Sequence, residues 1–491
     1  MVACIKLLVF FASSCFDHRR LSHLLQEAFS DCIVFGCSTA GEIVSGKLLK
    51  NSVVAMAINS NIISDVKVEV IEQIKDNLNL DAAFTSFERY FNESSYTMDV
   101  TRYVGIILID GVSMKEEKIM DQIGSRTNVY FIGGSAGDDL KFIETFVCAN
   151  GKAYIDSAVL VLLKMNAQAE FSIIKTQSFK ALDQVLIANK VNEEIREVIE
   201  FNNRPAITAY ADAVGATSVE EAPKYFTTNP VGLVVGGNDI FVRSPLQKKG
   251  TNIQFHCNIL EKMEVRLLES TNIIEDTKYA LDEKIKEFGR IEGIINFHCI
   301  MRTLELEQKN SVKQYGEIFS NIQTIGFSTY GEEYIGHINQ TSVMLVFKNN
   351  LFNQNNDRKV ITSIDTHQKL RFIEQVNEKV IKENSDLQKE VWGLNQQLKE
   401  TTAALKEFNI MLEDEINERT KTEEALKLAG EQFSKVFHST PHMMIIRRKS
   451  DNCCIDVNYQ YLSATGYSRQ EIIGKKPANV GMDENDYEKI H

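Results

Sequence analysis

The heptapeptide Gly36-Cys37-Ser38-Thr39-Ala40-Gly41-Glu42 occurs twice in this chain, returning as Gly326-Phe327-Ser328-Thr329-Tyr330-Gly331-Glu332. The agreement continues without a gap. Gly46 and Gly336 stand at the same offset, as do Ser52-Val53 and Ser342-Val343, and an apolar run follows each copy, Val54 to Ile58 and Met344 to Phe347. A reduced third version, Gly133-Gly134-Ser135-Ala136-Gly137-Asp138-Asp139, lies between them and precedes its own apolar run, Ser157 to Leu163. This pattern points to one supersecondary unit used repeatedly.

The approach to each copy is also shared. Leu7 to Phe11 is a continuous apolar run, as in a strand buried on both faces. Leu21, Leu24, Leu25, Ala28 and Phe29 follow at helical spacing, and Cys32 to Phe35 leads into Gly36. Val104 to Ile109, the Ile119/Met120/Ile123 face and Val129 to Ile132 do the same before Gly133. Ile294 to Phe297, the Val312/Tyr315/Ile318/Phe319 face and Ile322 to Ile325 do so before Gly326. Strand–helix–strand units in series imply parallel pairing with right-handed crossovers. Between the first two units Val66 to Ile71 reads as a strand and Ala82 to Phe91 as a helix. Residues 165–290 are less regular, with strands expected near Phe171, Val231, Ile253 and Val265 and helices over Leu186 to Phe201 and Ile274 to Phe288. The expected fold class is α/β, with repeated strand–helix–strand units forming two mixed-sheet domains.

Composition narrows the function. The chain has 491 residues, 44% hydrophobic and 25% charged, with a net charge of -13. An acidic balance argues against a general nucleic-acid or anionic-membrane binder, which would carry a basic face. Nine scattered cysteines without a C-x-x-C or a zinc spacing suggest a reducing compartment, so the expected location is cytoplasmic. Ile5 to Ala12 followed by Ser13-Ser14-Cys15 resembles a poor cleavage site, but the same strand type recurs internally and the strand reading is preferred. No run approaches the ~18 apolar residues of a transmembrane helix.

Beyond a polar linker at residues 351–366, apolar residues from Leu370 to Leu412 keep a heptad period through more than five repeats. Such a seam argues a coiled coil, and Asn377 and Asn384 at a positions favour a parallel, in-register dimer. The shift from Leu412 to Ile416 is a stutter.

The glycine turns sit where open α/β sheets place ligands, at the carboxyl edge. Ser38, Thr39, Ser135, Ser328 and Thr329 offer hydroxyls, turn amides offer donors for an anion, and Glu42, Asp138, Asp139 and Glu332 could accept from an ammonium group. Such a set suits a small zwitterion. The competing reading is that these side chains close their own turns. Cys37 reads as a buried small residue, and His298 as either a ligand contact or a satisfied core histidine. No P-loop, dinucleotide fingerprint, H-E-x-x-H or G-x-S-x-G elbow is present, and no motif names a cofactor or metal.

Taken together, Gly36 to Glu42, Asp110-Gly111 and Gly133 to Asp138 make residues 1–200 resemble the N-terminal domain of the FIST sensory family. Gly326 to Glu332 and Asn339-x-Thr341 make residues 205–350 resemble its C-terminal domain. Met443 to Arg447, Ile455-Asp456-Val457-Asn458, Thr465-Gly466-Tyr467 and Glu471 to Lys475 resemble the opening of a PAS domain, with Phe433 and Phe437 facing its core. The implied layout is residues 1–200 and 205–350 as the two FIST-like domains, 366–430 as a coiled-coil signalling helix and 431–491 as an incomplete α+β PAS domain. The resemblance implies an intracellular signal-transduction sensor that binds a small ligand, amino acids among the candidates. It would contact the ligand through Ser38, Thr39, Glu42, Asp110, Ser135, Asp138, Ser328, Thr329 and Glu332, and relay it through the dimeric coil to the PAS region and an output such as a histidine kinase or cyclic-dinucleotide cyclase. The alternatives are an enzyme using the Ser/Thr/Glu loops, and a purely structural dimer scaffold.

Overall fold

The computed structural model describes residues 4–236, 239–350 and 418–476, with isolated positions 401, 411 and 416. These fall into two compact units, the first holding residues 4–350 and the second 418–476. Most of the expected coiled coil lies outside the described residues.

The first repeat runs β1 (Ile5–Ser13), α1 (His18–Ala28), β2 (Ile33–Thr39), a short hairpin of β3 (Glu42–Val44) and β4 (Lys47–Leu49), then β5 (Val53–Asn59). After β6 (Ile63–Glu72) and α2 (Asp81–Phe91) the second repeat runs β7 (Tyr103–Ile109), α3 (Glu116–Gly124), β8 (Phe131–Ser135), hairpin β9 (Val147–Ala149) and β10 (Lys152–Tyr154), and β11 (Ser157–Met165). Next comes β12 (Ala169–Gln177). An inserted region then contains β13 (Phe179–Asn192), β14 (Glu197–Phe201), β15 (Arg204–Pro205), α4 (Ala206–Val214), β16 (Val231–Val235), β17 (Asp239–Arg243), β18 (Pro245–Lys249), β19 (Asn252–Phe255) and β20 (Glu264–Ser270). After α5 (Ile273–Phe288) the third repeat runs β21 (Gly293–Cys299), α6 (Ile300–Gln308), α7 (Val312–Glu317), β22 (Gln323–Thr329), hairpin β23 (Glu332–Tyr334) and β24 (His337–Ile338), and β25 (Thr341–Asn349).

In every repeat the first two long strands pair in parallel and the last returns antiparallel to the first. The hairpins, however, do not stay at home. β3–β4 adds to β22 in the third repeat, β23–β24 to β8 in the second, and β9–β10 to β2 in the first. The three sheets are therefore closed into a ring by a cyclic exchange of hairpins, and the two expected mixed-sheet domains are interlocked.

Burial on both faces follows. Leu7, Val9 and Phe11 of β1, Val104, Ile106 and Leu108 of β7, and Ile295 and Phe297 of β21 point into one shared core, where Phe11 stacks on Phe327 at 4.5 Å between centroids. The alternate residues face outward under helices. Leu8 and Phe10 pack beneath α1, Ile107 and Ile109 beneath α2 and α3, and Ile294 beneath α5 to α7. Period-2 strands buried on both sides read as continuous apolar runs, which is what the sequence shows.

The repeated first glycine is part of a strand, not of a turn. A Cβ on Gly36 would lie 2.0 Å from the carbonyl oxygen of Phe10; on Gly326 it would lie 2.2 Å from that of Asn296, and on Gly133 1.7 Å from that of Ile107. In each repeat this is the residue opposite in the parallel partner strand.

The expected helix over Leu186 to Phe201 is instead β13 and β14, an antiparallel pair. Register shifts at Ala181/Val185, Ala188/Lys190 and Lys190/Val191 break the strand's alternation and leave apolar residues at helix-like intervals. Two helices, α4 and α6, were not expected. Their caps, Pro205 and Cys299, make no side-chain cap hydrogen bond, so they carry no N-cap signal.

In the second unit a helix over residues 418–439 (α8) precedes β26 (Ile445–Arg447), β27 (Cys454–Val457), α9 (Tyr459–Thr465) and α10 (Arg469–Ile472). Cys454, Val457, Tyr461 and Ile472 form a small core. Of the two phenylalanines expected inside, Phe437 is buried but Phe433 is 55% exposed.

Candidate functional site

The three motif copies meet at the centre of the ring, held by a cyclic set of backbone bonds. The Ala40 amide donates to the Ser328 carbonyl (3.3 Å), the Tyr330 amide to Ser135 (3.1 Å) and the Gly137 amide to Ser38 (3.0 Å). The three serines answer: the Ser328 amide donates to Gly41 (2.8 Å), Ser135 to Gly331 (2.9 Å) and Ser38 to Phe146 (2.9 Å). The third link is displaced because residues 138–146 form a strap between the third motif and its hairpin. Asp138 organises the strap, accepting from the amides of Phe142 (2.9 Å), Ile143 (2.7 Å) and Glu144 (3.2 Å) and from the Tyr330 hydroxyl.

All nine expected ligand residues lie at these junctions or at the adjoining strand ends, and all nine are buried. Their polar atoms largely engage one another. Glu42 accepts from Ser13 (2.6 Å), Thr39 and Ser52 (2.6 Å), and Glu332 accepts from Thr329 and Thr341 (2.6 Å), so each glutamate clamps its loop to the strand that follows. Asp110 accepts from Thr145 and from the amides of Val112 (3.1 Å) and Asp156 (2.6 Å). The Ser38 hydroxyl accepts from the Phe146 amide (2.9 Å), Ser135 donates to Glu116 (3.1 Å), and Ser328 meets Thr303 (2.7 Å). Burial lifts the Glu42 carboxyl, and lifts that of Glu332 to about 7 against the pull of its hydroxyl donors. Burial also works against the charge of Asp138, but the Tyr330 hydroxyl and three amides outweigh it and hold the carboxyl below its ordinary value. Asp139, also considered as an acceptor, is exposed on the strap and accepts from Ser14.

A second polar cluster lies beside the Ser135 junction. Arg196, held at a left-handed φ of 53°, reaches from the inserted sheet to Glu116 (2.6 Å) and Glu117 (2.6 Å) at the start of α3. The Asn258 amide donates to Glu117 (2.8 Å). His337 Nδ1 pairs with Glu333 (2.8 Å) on the exchanged hairpin, leaving His337 Nε2 and Glu333 Oε2 buried without partners. Burial disfavours the His337 charge, yet Glu333, Glu117 and Glu116 lift it to about 9; burial raises Glu333 to about 6. Gly331 is needed here, since a Cβ would lie 2.1 Å from the His337 ring. Three carboxylates against two cations leave the cluster with a net negative charge. Among the described residues no group of His, Cys, Asp and Glu has the geometry of a metal centre.

Residues 6–204 match the model of the FIST N domain, and residues 206–334 match that of the FIST C domain. The chain belongs to the FIST family. FIST domains are sensory domains of signal-transduction proteins. An uncharacterized protein of Methanocaldococcus jannaschii is 22% identical over 268 residues, 51% of this chain and 51% of its own length, so the chain spans about half of that curated relative.

The boundary between FIST N and FIST C runs through the ring rather than beside it, because β3–β4 of the first pairs with β22 of the second and β23–β24 of the second with β8 of the first. Eight of the nine expected residues are singled out by the repeat, and Asp110 by the family resemblance. The repeat does not point to the clustered Glu116, Glu117, Arg196, Glu333 and His337, which sit outside the repeated letters. The available signal was Glu333 and His337 four residues apart around Gly336. His298 is fully buried on β21, its Nδ1 2.9 Å from the Tyr315 hydroxyl and its Nε2 without a partner. Among the described residues no helix is long and apolar enough to cross a membrane.

Proposed function

We propose that the FIST region is the input of a signalling protein and binds a small ligand, an amino acid first among candidates, where its two domains interlock. The observation that carries this reading is the convergence of three loops from three sheets: a ligand seated there touches FIST N and FIST C at once. The nine loop residues are then the frame of the site, and Glu333 Oε2, buried without a partner beside Glu116 and Glu117, is the acceptor suited to an ammonium group. Signal leaves through residues 366–430 as a parallel dimeric coil, toward the PAS-like second unit and a histidine kinase or cyclase output, and the cytoplasm is the compartment. The phase break after Leu412 is the bistable element, since a heptad seam with a stutter has two registers within reach.

Isothermal calorimetry of the full chain against the twenty amino acids tests the reading. At least one should give a saturable heat, weakened about tenfold or more by Glu333→Gln through loss of a charge-assisted hydrogen bond. A folded protein that binds none of the panel would remove the amino-acid assignment.

A further inference from the structure

The β21–α6 junction buries a cation that no carboxylate pairs with among the described residues. Arg302, in the first turn of α6, is 1% exposed and among the largest fully buried side chains. Its Nη1 donates to Ser178 Oγ (3.2 Å) and its Nη2 to Thr277 Oγ1 (2.8 Å), both neutral hydroxyls. Its Nε has no partner, and among the described residues no carboxylate pairs with it. A guanidinium does not give up its proton in a protein. A buried charge without a counter-charge is strongly destabilising, so its presence calls for an anion.

Four residues earlier, a second donor is left open. Ser342 donates to Asn296 Oδ1 (2.7 Å), Asn296 Nδ2 donates to the Tyr315 hydroxyl (3.4 Å), and that hydroxyl faces His298 Nδ1 (2.9 Å). Among the described residues His298 Nδ1 is the one acceptor in reach of the Tyr315 hydroxyl proton, so the hydroxyl donates to Nδ1. The ring proton of a neutral imidazole then sits on Nε2, the atom that has no partner. Burial, and next the charge of Arg302, keep the imidazole well below its ordinary range and so neutral.

We propose that Arg302 and His298 form the anion end of the ligand site and take the carboxylate group of a small carboxylate ligand, the Arg302 guanidinium and the His298 Nε2–H donating to its oxygens. This rests on the reading that the FIST region binds a small ligand. The place fits: it is the carboxyl end of a parallel strand, where α/β sheets put their ligands. Thr303, the next residue, is 2.7 Å from Ser328 Oγ, so the turn bearing Arg302 is tied to the second motif copy. A cleft of about 370 Å³ lies between the first turn of α5 and the last turns of α6. Ile273 and Leu306 line it, each four residues from Thr277 or Arg302 on its own helix. Ile273 and Leu306 are thus about one helical turn, roughly 5 Å of axial rise, from Thr277 and Arg302 along their helices.

The test uses the full chain in buffer with a non-coordinating anion, read by thermal shift and calorimetry, with acetate, propionate, the twenty amino acids and glycinamide as probes. Carboxylates should bind and raise the melting temperature, glycinamide should not, and Arg302→Met should weaken carboxylate binding about tenfold or more. Arg302→Lys should restore part of it. Thr277→Val, which keeps the guanidinium but removes one of its anchors, should weaken binding less and serves if Arg302→Met does not fold. If carboxylates bind wild type and Arg302→Met alike, the anion site is elsewhere and this inference falls while the small-ligand reading stands. If acetate binds through Arg302 but no amino acid does, the amino-acid reading falls and this one stands. Folded wild type with no response to any probe overturns both.

Discussion

At the scale of single residues, the repeated glycine and the repeated glutamate do different work. Gly326 is required because the strand pair leaves no room for a Cβ against Asn296 O, whereas a Cβ on Gly293 of the same sheet would sit 3.6 Å from Gln323 O, an ordinary contact. Gly326→Ala should therefore lower stability by about 2–3 kcal/mol or more, and Gly293→Ala should change it by less than about 1 kcal/mol; urea midpoints of the two variants check this. Glu332 has a folded value near 7 against an ordinary 4.5. Between those values the folded chain holds a proton that the unfolded chain has lost. Its stabilisation is full below about 4.5 and disappears as pH rises through 7. Glu332→Gln removes the titrating group, and its single amide oxygen can accept from Thr329 or from Thr341 but not from both; whatever that costs is independent of pH, so its stability relative to wild type should climb by up to about 3 kcal/mol between pH 4.5 and 7.5. Parallel pH profiles for the two proteins would show that Glu332 is ionised throughout. The choice of Gly, Ser, Thr and Glu was visible in the letters because it was repeated; Arg302 was not, since a lone arginine in a helix reads as a solvated one until its burial is seen.

Among elements, the hairpins decide the architecture. The strands of each repeat were legible because they are buried on both faces and so run apolar without interruption. The exchange of hairpins was not, because β3, β4, β9, β10, β23 and β24 are only two or three residues long and carry no periodicity to assign them to a sheet. The inserted region defeated the reading for another reason: bulges in β13 shift its apolar residues out of alternation. If the exchange is what closes the sheets, residues 1–204 alone lack β23–β24, leaving the inner edge of β8 unpaired and β3–β4 without β22. That fragment should aggregate or unfold without a cooperative transition, while residues 1–350 melt cooperatively; circular dichroism and light scattering separate the outcomes. A soluble, cooperatively folding 1–204 would show the exchanged hairpins to be dispensable.

Considered whole, FIST N and FIST C are one ring whose repeats were each recognisable in sequence but whose closure depends on contacts hundreds of residues apart. That has a consequence for how the protein is made. β8 ends at Ser135, but the hairpin that covers its edge ends at Ile338, so 203 residues must be added before the pairing can form. At 5–20 residues per second the ribosome takes roughly 10–40 s over that interval. Throughout it the nascent chain presents a strand edge with its amides and carbonyls bare beside an apolar sheet, a target for chaperones and for other incomplete chains. The cyclic hairpin exchange thus makes production of this sensor sensitive to translation speed and chaperone supply.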